Sequence, residues 1–187
     1  LNNNASALEI AGQAADPFGL GSPFAVAFSN PETVAAFAMN YGDTLIDNAR
    51  GDGQFPLGFD PGIGFVIDSV RVHTSITKNG SVDGWGSLTT PLGTYNTLRL
   101  NVLRKQIDTI DIYAFGTWAP NFFSQEDSSR VYTYWANGLG FPLAELTDQQ
   151  DLGQITRANW LQAVPQVISV PECVCAYNAG IYPNPAN

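Results

Sequence analysis

The clearest pattern in the chain is an alternation of apolar and polar residues that begins after Gly64. Side chains of a strand alternate between its two faces, so a period of two predicts a half-buried strand from Phe65 to Thr77. One face would carry Val66, Val70, Val72 and Ile76. The other face would carry Ser69, Arg71, His73 and Ser75.

Two turn signals divide the stretch that follows. Lys78-Asn79-Gly80-Ser81 contains Asn-Gly, which adopts positive φ at low cost and predicts a type I′ hairpin turn. Val82 to Thr90 would then be the return strand. Pro91-Leu92-Gly93-Thr94 predicts the next turn, since proline and glycine favour turn geometry.

The strand predicted from Thr97 to Lys105 pairs with Val82 to Thr90 in a register that the charges determine. A slip by one residue would bury charged side chains and expose aliphatic ones, which is costly. We therefore expect the core to receive Leu98, Leu100 and Val102, and the surface to receive Arg99, Asn101 and Lys105.

Further strand patterns complete an all-β chain. The next strand would bury Ile110, Ile112, Ala114 and Trp118 and expose Asp111, Tyr113 and Thr117. Pro31 to Phe37 fits either a helical turn or a strand. Other candidate strands are Phe24–Phe28, Arg130–Trp135, Phe141–Leu146 and Gln154–Leu161. Many short strands joined by short turns predict an antiparallel meander that forms a sandwich or barrel.

Three segments lack such patterns. Residues 1–23, rich in Asn, Ala and Gly, predict an irregular lead-in. Asp43 to Gly64 predicts a long loop, because it holds five glycines, two prolines and four aspartates. Residues 170–187, with three prolines, predict a tail or linker. We therefore expect one β-rich domain over residues 1–169.

Charge and hydropathy exclude two classes of partner. Eight Lys and Arg residues against 17 Asp and Glu give a net charge of −9, opposite to what a nucleic-acid binder needs. The most apolar region, Pro17 to Pro31, is too short and too interrupted to span a membrane.

No basic segment followed by an apolar stretch opens the sequence, so we expect a chain already processed or trimmed at Leu1.

Two sets of residues resemble a known family. Tyr182-Pro183-Asn184-Pro185-Ala186-Asn187 resembles the opening of the C-terminal sorting domain of type IX secretion in Bacteroidota. Three internal stretches are similar to a region common before that domain: Met39–Thr44, Asp83–Tyr95 with Leu98–Leu100, and Gly138–Leu143. The resemblance implies a secreted or cell-surface cargo protein, which meets the type IX secretion machinery through a sorting domain after Asn187. It implies no activity.

No catalytic constellation is evident in the sequence. His73 is the sole histidine, and the Gly-x-Ser-x-Gly elbow of a serine hydrolase is absent, so we expect an ordinary residue that is either at the surface or hydrogen-bonded. The five glutamates are scattered without a glycosidase motif.

Two groups of residues are considered as metal ligands, the aspartates of an acidic loop and the two cysteines. Asp43, Asp47 and Asp52 could offer oxygens to calcium from an acidic loop, but they lack the Asp-x-Asp-x-Asp-Gly spacing, so a solvated loop is favoured. Cys173 and Cys175 could be free thiols or a strained Cys-x-Cys disulfide, and zinc would need further ligands.

Aromatic residues supply the candidate ligand site. Parity places Trp85 and Tyr113 on exposed faces, where aromatic rings could stack on a sugar, whereas Trp118 is assigned to the core. We expect a secreted, non-catalytic surface, adhesion or assembly module, with self-association possible. The alternative is a carbohydrate-binding module, and a third hypothesis is a small secreted hydrolase.

Overall fold

The computed structural model describes residues 1–3, 5–16 and 23–163. Within these ranges the chain is all-β, and each strand pairs antiparallel with the next along the chain. The predicted all-β antiparallel meander is confirmed. The strands are β1 (Asn2–Asn3), β2 (Ala7–Ala15), β3 (Phe24–Ala36), β4 (Thr44–Phe59), β5 (Ile67–Thr90), β6 (Gly93–Ala114), β7 (Thr117–Ala136), β8 (Pro142–Gln149) and β9 (Arg157–Trp160). The 170–187 tail, with Cys173 and Cys175, lies outside the described residues.

Three long central strands dominate the sheet. β5, β6 and β7 have 24, 22 and 20 residues, several times the usual strand length of about 5–6. At about 3.3 Å per residue, β5 alone extends on the order of 80 Å. The hairpin turn predicted at Pro91-Leu92-Gly93-Thr94 is confirmed, since Thr90 pairs with Gly93 between β5 and β6.

The turn predicted at Asn79-Gly80 is wrong, because both residues lie inside β5. Asn79 pairs with Leu103 and Gly80 with Val102, so the two strands predicted on either side are one. The glycine is needed for close packing rather than for a turn. A Cβ at position 80 would collide with the carbonyl oxygen of Asn101 and lie 2.9 Å from the Cα of Val102.

The long loop predicted from Asp43 to Gly64 is also wrong over most of its length. Residues Thr44–Phe59 form β4, and two of its glycines, Gly51 and Gly53, make room for neighbouring side chains. A Cβ on Gly51 would lie 2.7 Å from both the Phe28 ring and a Val26 methyl group. Gly51 therefore permits close packing of β4 against β3.

The N-terminal strands form a second layer over the inner face of β4 to β7. The irregular lead-in predicted for residues 1–23 is wrong, since β1 and β2 occupy part of it. The helical turn considered for Pro31 to Phe37 is also wrong, because β3 continues to Ala36. One buried cluster spans both layers and contains Leu8, Ala35, Leu45, Val82, Leu100, Val102 and Trp135. The sheet stays open, because β1 and β9 are its two edges.

The faces predicted for the central strands are largely confirmed. Leu100 and Val102 are buried and Leu98 packs against the same cluster, whereas Arg99 lies on the outer face and contacts Asp83 (Nε–Oδ1, 2.8 Å). Val66 is one exception, since it precedes β5 and is exposed, and Ile67 is buried instead.

A buried charged cluster joins the two layers. The carboxylate of Glu32 on β3 accepts hydrogen bonds from Nε (2.7 Å) and Nη2 (3.1 Å) of Arg104 on β6. It also lies 2.9 Å from Nζ of Lys78 on β5. Lys78 also donates to the carbonyl of Thr33 (2.7 Å). Burial raises the pKa of Glu32, but hydrogen bonds from Arg104 and the charge of Lys78 outweigh it, so the net pKa lies below the ordinary value.

Candidate functional site

A β-bulge places Trp85 on the inner face of the sheet. The register between β5 and β6 shifts between Val82 and Gly84, so that Trp85 pairs with Leu98, which in turn pairs with Trp135 on β7. Paired residues of antiparallel strands point to the same side. The three side chains therefore form a row across the inner face, beyond the part that β2 and β3 cover.

This uncovered end of the sheet forms a groove of about 950 Å³. Its floor includes the row of Trp85, Leu98 and Trp135, and Phe37 and Met39 contribute from the segment that follows β3. The indole of Trp135 is buried and fixed by donation to Oγ1 of Thr133 (2.7 Å) and by an edge contact with Phe37 (5.8 Å between ring centroids). Trp85, in contrast, is 77% exposed, so its ring is available to a ligand.

The groove is uncharged, although the chain carries a net charge of −9. Each described residue that lines it is apolar, aromatic, glycine, or an amide or hydroxyl residue. Its lining therefore offers hydrogen-bonding groups without a carboxylate, imidazole, ammonium or guanidinium. General acid–base catalysis needs such a titratable group within reach of the substrate.

Polar pairs on the same face lead from the groove toward the tip of the β5–β6 hairpin. Ser87 donates to Oδ1 of Asn96 (3.3 Å), and the hydroxyls of Thr89 and Thr94 lie 2.9 Å apart one step farther along. Trp85, Ser87 and Thr89 are every second residue of the strand and therefore share one face of β5. An apolar ring is thus followed by a row of neutral polar groups.

The groove brings together the three stretches that carry the internal resemblance. Met39, the residues around Trp85, and Gly138 with Gly140 all line it, although they are far apart in the sequence. Asn3 of β1 closes this end by donating to the carbonyl of Gly140 (3.0 Å). Residues that are far apart in the sequence therefore meet at one structural feature.

Tyr113 does not share a site with Trp85. It lies on the outer face, where its ring packs against Trp118 with centroids 5.2 Å apart. Fifteen residues along β6 separate Tyr113 from Leu98, the partner of Trp85, which is on the order of 50 Å. The two predicted ligand-binding residues thus stand at opposite ends of the sheet.

The core assignment of Trp118 is wrong. Trp118 pairs with Tyr113 across the β6–β7 turn, so both point outward, and the guanidinium of Arg71 covers the Trp118 ring at 3.7 Å from its centroid. This arrangement of a cation over an indole is a packed surface cluster. Arg71 therefore occupies one face of the Trp118 ring.

His73 is a hydrogen-bonded residue of the outer face, as predicted. Its Nδ1 lies 2.6 Å from Asp52 and its Nε2 lies 3.3 Å from Asp111. Both ring nitrogens therefore contact carboxylates, and neither contacts a hydroxyl that it could activate. The hydrogen bond to His73 lowers the pKa of Asp52 below its ordinary value, with a further contribution from Arg50.

The aspartates considered for calcium do not converge. Asp47 accepts hydrogen bonds from the backbone N–H and hydroxyl of Thr33, Asp52 points to the opposite face of β4, and Asp43 binds the N–H of Asn40. Across residues 1–3, 5–16 and 23–163, no group of three or more His, Cys, Asp or Glu side chains could hold a metal ion. The calcium hypothesis for Asp43, Asp47 and Asp52 is therefore not supported by their geometry.

Comparison with known proteins gives no further identification: no protein-family model, curated protein or solved structure matches this chain. Within the described part of the chain, no helix is long and apolar enough to cross a membrane.

Sequence reasoning found Trp85 but missed most of the groove. Phe37 and Met39 reach it only because the N-terminal layer ends there, and Asn96 reaches it through the register of a hairpin. One usable signal was present: residues 84–98 contain no charged side chain in an acidic protein. This run contributes Trp85, Gly86, Ser87, Asn96, Thr97 and Leu98 to the uncharged lining of the groove.

Proposed function

We propose that this protein is a secreted, non-catalytic binding module that acts in adhesion at a cell surface, with the Trp85 groove as its ligand site. The observation that supports this function best is the uncharged groove with an exposed indole at one end of a long sheet. Large, rigid aromatic surface flanked by a few neutral polar groups is typical of binding sites. The lining offers no acid or base for hydrolysis.

Adhesion is favoured over assembly by strand pairing because a proline and a bulge interrupt the exposed edge of β7. Within the described strands, β8 pairs with Ser129–Trp135, and Gln150 donates to the carbonyl of Ser128, which leaves residues 117–127 open on that side. Pro120 lacks an N–H there, and the pairing with β6 is interrupted between Phe123 and Ala119. Proline and bulges on an edge oppose pairing with another chain.

Cell-surface retention tests the proposed function. Labelled wild-type protein would be incubated with fixed bacterial cells and with purified envelopes, alongside Trp85→Ala and Asn137→Glu, which introduces a charge into the groove. The matched control is Phe115→Ala, because Phe115 is 82% exposed in the β6–β7 turn at the far end of the sheet. We expect retention of the wild type and of Phe115→Ala only.

Two results would contradict this function. Equal retention of the wild type and both groove variants would remove the groove as the ligand site. Turnover of polysaccharide by the wild-type protein would overturn its non-catalytic character.

Secretion is proposed from Tyr182-Pro183-Asn184-Pro185 and the internal similarity, with the type IX machinery as partner. A reporter fused to these residues and their native continuation should be exported by a type IX-competent host. Equal export by a host without that machinery would contradict the localisation.

A further inference from the structure

We propose that the groove binds an uncharged oligosaccharide, independently of any metal ion. This inference rests on the proposed function and names the ligand class of the same site. It follows from three features of the groove: an accessible indole face, a row of neutral hydrogen-bonding groups beside it, and the exclusion of charge.

The indole of Trp85 is suited to stack on a sugar ring. Its side chain is 77% exposed on the inner face of β5, so most of the ring is open to a ligand. A pyranose has an apolar C–H face and a rim of hydroxyls. An aromatic platform takes up the apolar face at small entropic cost because the ring has few rotatable bonds.

The neutral polar pairs match the hydroxyl rim of a saccharide. Ser87 with Asn96 and Thr89 with Thr94 present hydroxyl and amide groups that can both donate and accept. From Trp85 to Thr89 the strand advances by four residues, or about 13 Å. That length is greater than a single sugar ring, so the geometry fits an oligosaccharide.

The lack of charge argues against acidic ligands. Carboxylate and phosphate groups are bound in proteins by Arg and Lys, which do not line the groove, and a net charge of −9 repels anions. The aspartates of β4 do not converge and no metal cluster is found in the described part, so a metal-bridged sugar has no ligands here.

The sheet also argues against a peptide ligand. Extended peptides commonly bind by adding to the open edge of a sheet, through main-chain hydrogen bonds. The floor of the groove is instead the face of β5, β6 and β7, whose backbones pair with one another along the row of Trp85, Leu98 and Trp135. A ligand on this face must bind through side chains, as a saccharide does.

Tryptophan fluorescence titration tests the inference. The full chain would be titrated with three uncharged probes, cellohexaose, mannohexaose and xylohexaose, and with hexagalacturonate as an acidic probe of equal length, each with and without EDTA. We expect at least one uncharged probe to bind with EDTA present and hexagalacturonate not to bind. In Trp85→Ala the Kd of that probe should rise about tenfold or more, the change that 1.4 kcal/mol produces.

Matched variants separate stacking from general damage. Trp85→Phe keeps an aromatic platform and should retain part of the affinity, Asn96→Asp places a charge in the groove and should weaken binding, and Phe115→Ala should leave it unchanged. Circular dichroism melts of each variant show whether it is folded, and binding is compared only between folded variants. Asn96→Asp is the second, conservative variant if Trp85→Ala does not fold.

Four outcomes would overturn the inference: no uncharged probe binds, hexagalacturonate binds as tightly, EDTA abolishes binding, or the groove variants bind like the wild type. If no probe binds while Trp85→Ala still abolishes retention on cells, this inference fails and the proposed function stands. If the probes bind and cell retention does not depend on Trp85, the oligosaccharide inference stands and the proposed adhesive function fails.

Discussion

Removal of the Glu32 carboxylate should be among the most damaging single substitutions in the protein. The side chains of Glu32 and Lys78 are 3% and 7% exposed, and Glu32 bridges Lys78 on β5 and Arg104 on β6. In Glu32→Gln the ammonium of Lys78 would remain buried without the carboxylate that lies 2.9 Å from it. Breaking a buried pair in this way costs about 3–5 kcal/mol.

That cost is a large part of the stability of a typical domain, which is about 5–15 kcal/mol. For a chain of this size the melting temperature should fall by roughly 10 °C. Urea denaturation at neutral pH measures the loss. The matched control is Asp83→Asn, whose partner Arg99 and own side chain are each about a third exposed, and it should cost under about 1 kcal/mol.

A second variant separates the buried charge from the lost contact. Adding Lys78→Met to Glu32→Gln removes the uncompensated ammonium, so the double variant should be more stable than Glu32→Gln alone. If Glu32→Gln cost no more than Asp83→Asn, or if the double variant were the less stable, the ionised cluster would not join the layers in the way described.

Acid denaturation gives an independent check of Glu32. Its folded-state pKa lies below the ordinary value of 4.5. The unfolded chain therefore binds a proton at this residue more readily than the folded chain. The ionised carboxylate contributes stability above about pH 4.5, and that contribution is lost as the pH falls through the folded-state pKa. The wild type should consequently lose more stability than Glu32→Gln as the pH falls below about 4.5.

Three further predictions follow from the central strands and the charge of the chain. Leu100 is buried, so Leu100→Ala should lower the free energy of unfolding by about 2–5 kcal/mol in urea melts. Arg99 pairs with Asp83 at the surface, so Arg99→Ala should lower it by under about 1 kcal/mol. A larger cost for Arg99→Ala than for Leu100→Ala would mean that the two faces of β6 are assigned the wrong way round. Gly80→Ala should lower the melting temperature, because its Cβ would collide with the Asn101 carbonyl, and an unchanged temperature would show that β5 and β6 are farther apart. Duplex DNA should not retain the chain at physiological salt, given its net charge of −9; saturable retention would contradict this.

The fold class could be predicted from the sequence because period-two patterning survives wherever one face is buried. Val70, Val72 and Ile76 show this on β5. Strand limits were harder, because glycine serves two purposes that look alike in a sequence. Gly80 and Gly51 permit close packing inside strands, yet glycine next to Asn or Asp is also the usual signal of a turn.

Face assignments failed where parity does not continue along the chain. Trp118 was placed with Ile112 by counting through the β6–β7 turn, but pairing with Tyr113 puts it on the outer face. Trp85 was correctly predicted to be exposed, yet the bulge before it moves it to the inner face. Local sequence could not reveal that Phe37 would lie near it, because that contact depends on how the second layer covers the sheet.

The indole N–H signals of the tryptophans provide the most direct test that the groove is the ligand site. A two-dimensional NMR spectrum of the isotope-labelled chain would be recorded while purified envelope polysaccharide is added, with Trp85→Phe used to assign the Trp85 signal. We predict that the Trp85 signal shifts or broadens in a saturable manner, while that of Trp118, covered by Arg71 at the far end of the sheet, stays unchanged. Saturable binding that moved the Trp118 signal and left Trp85 unaffected would contradict the account.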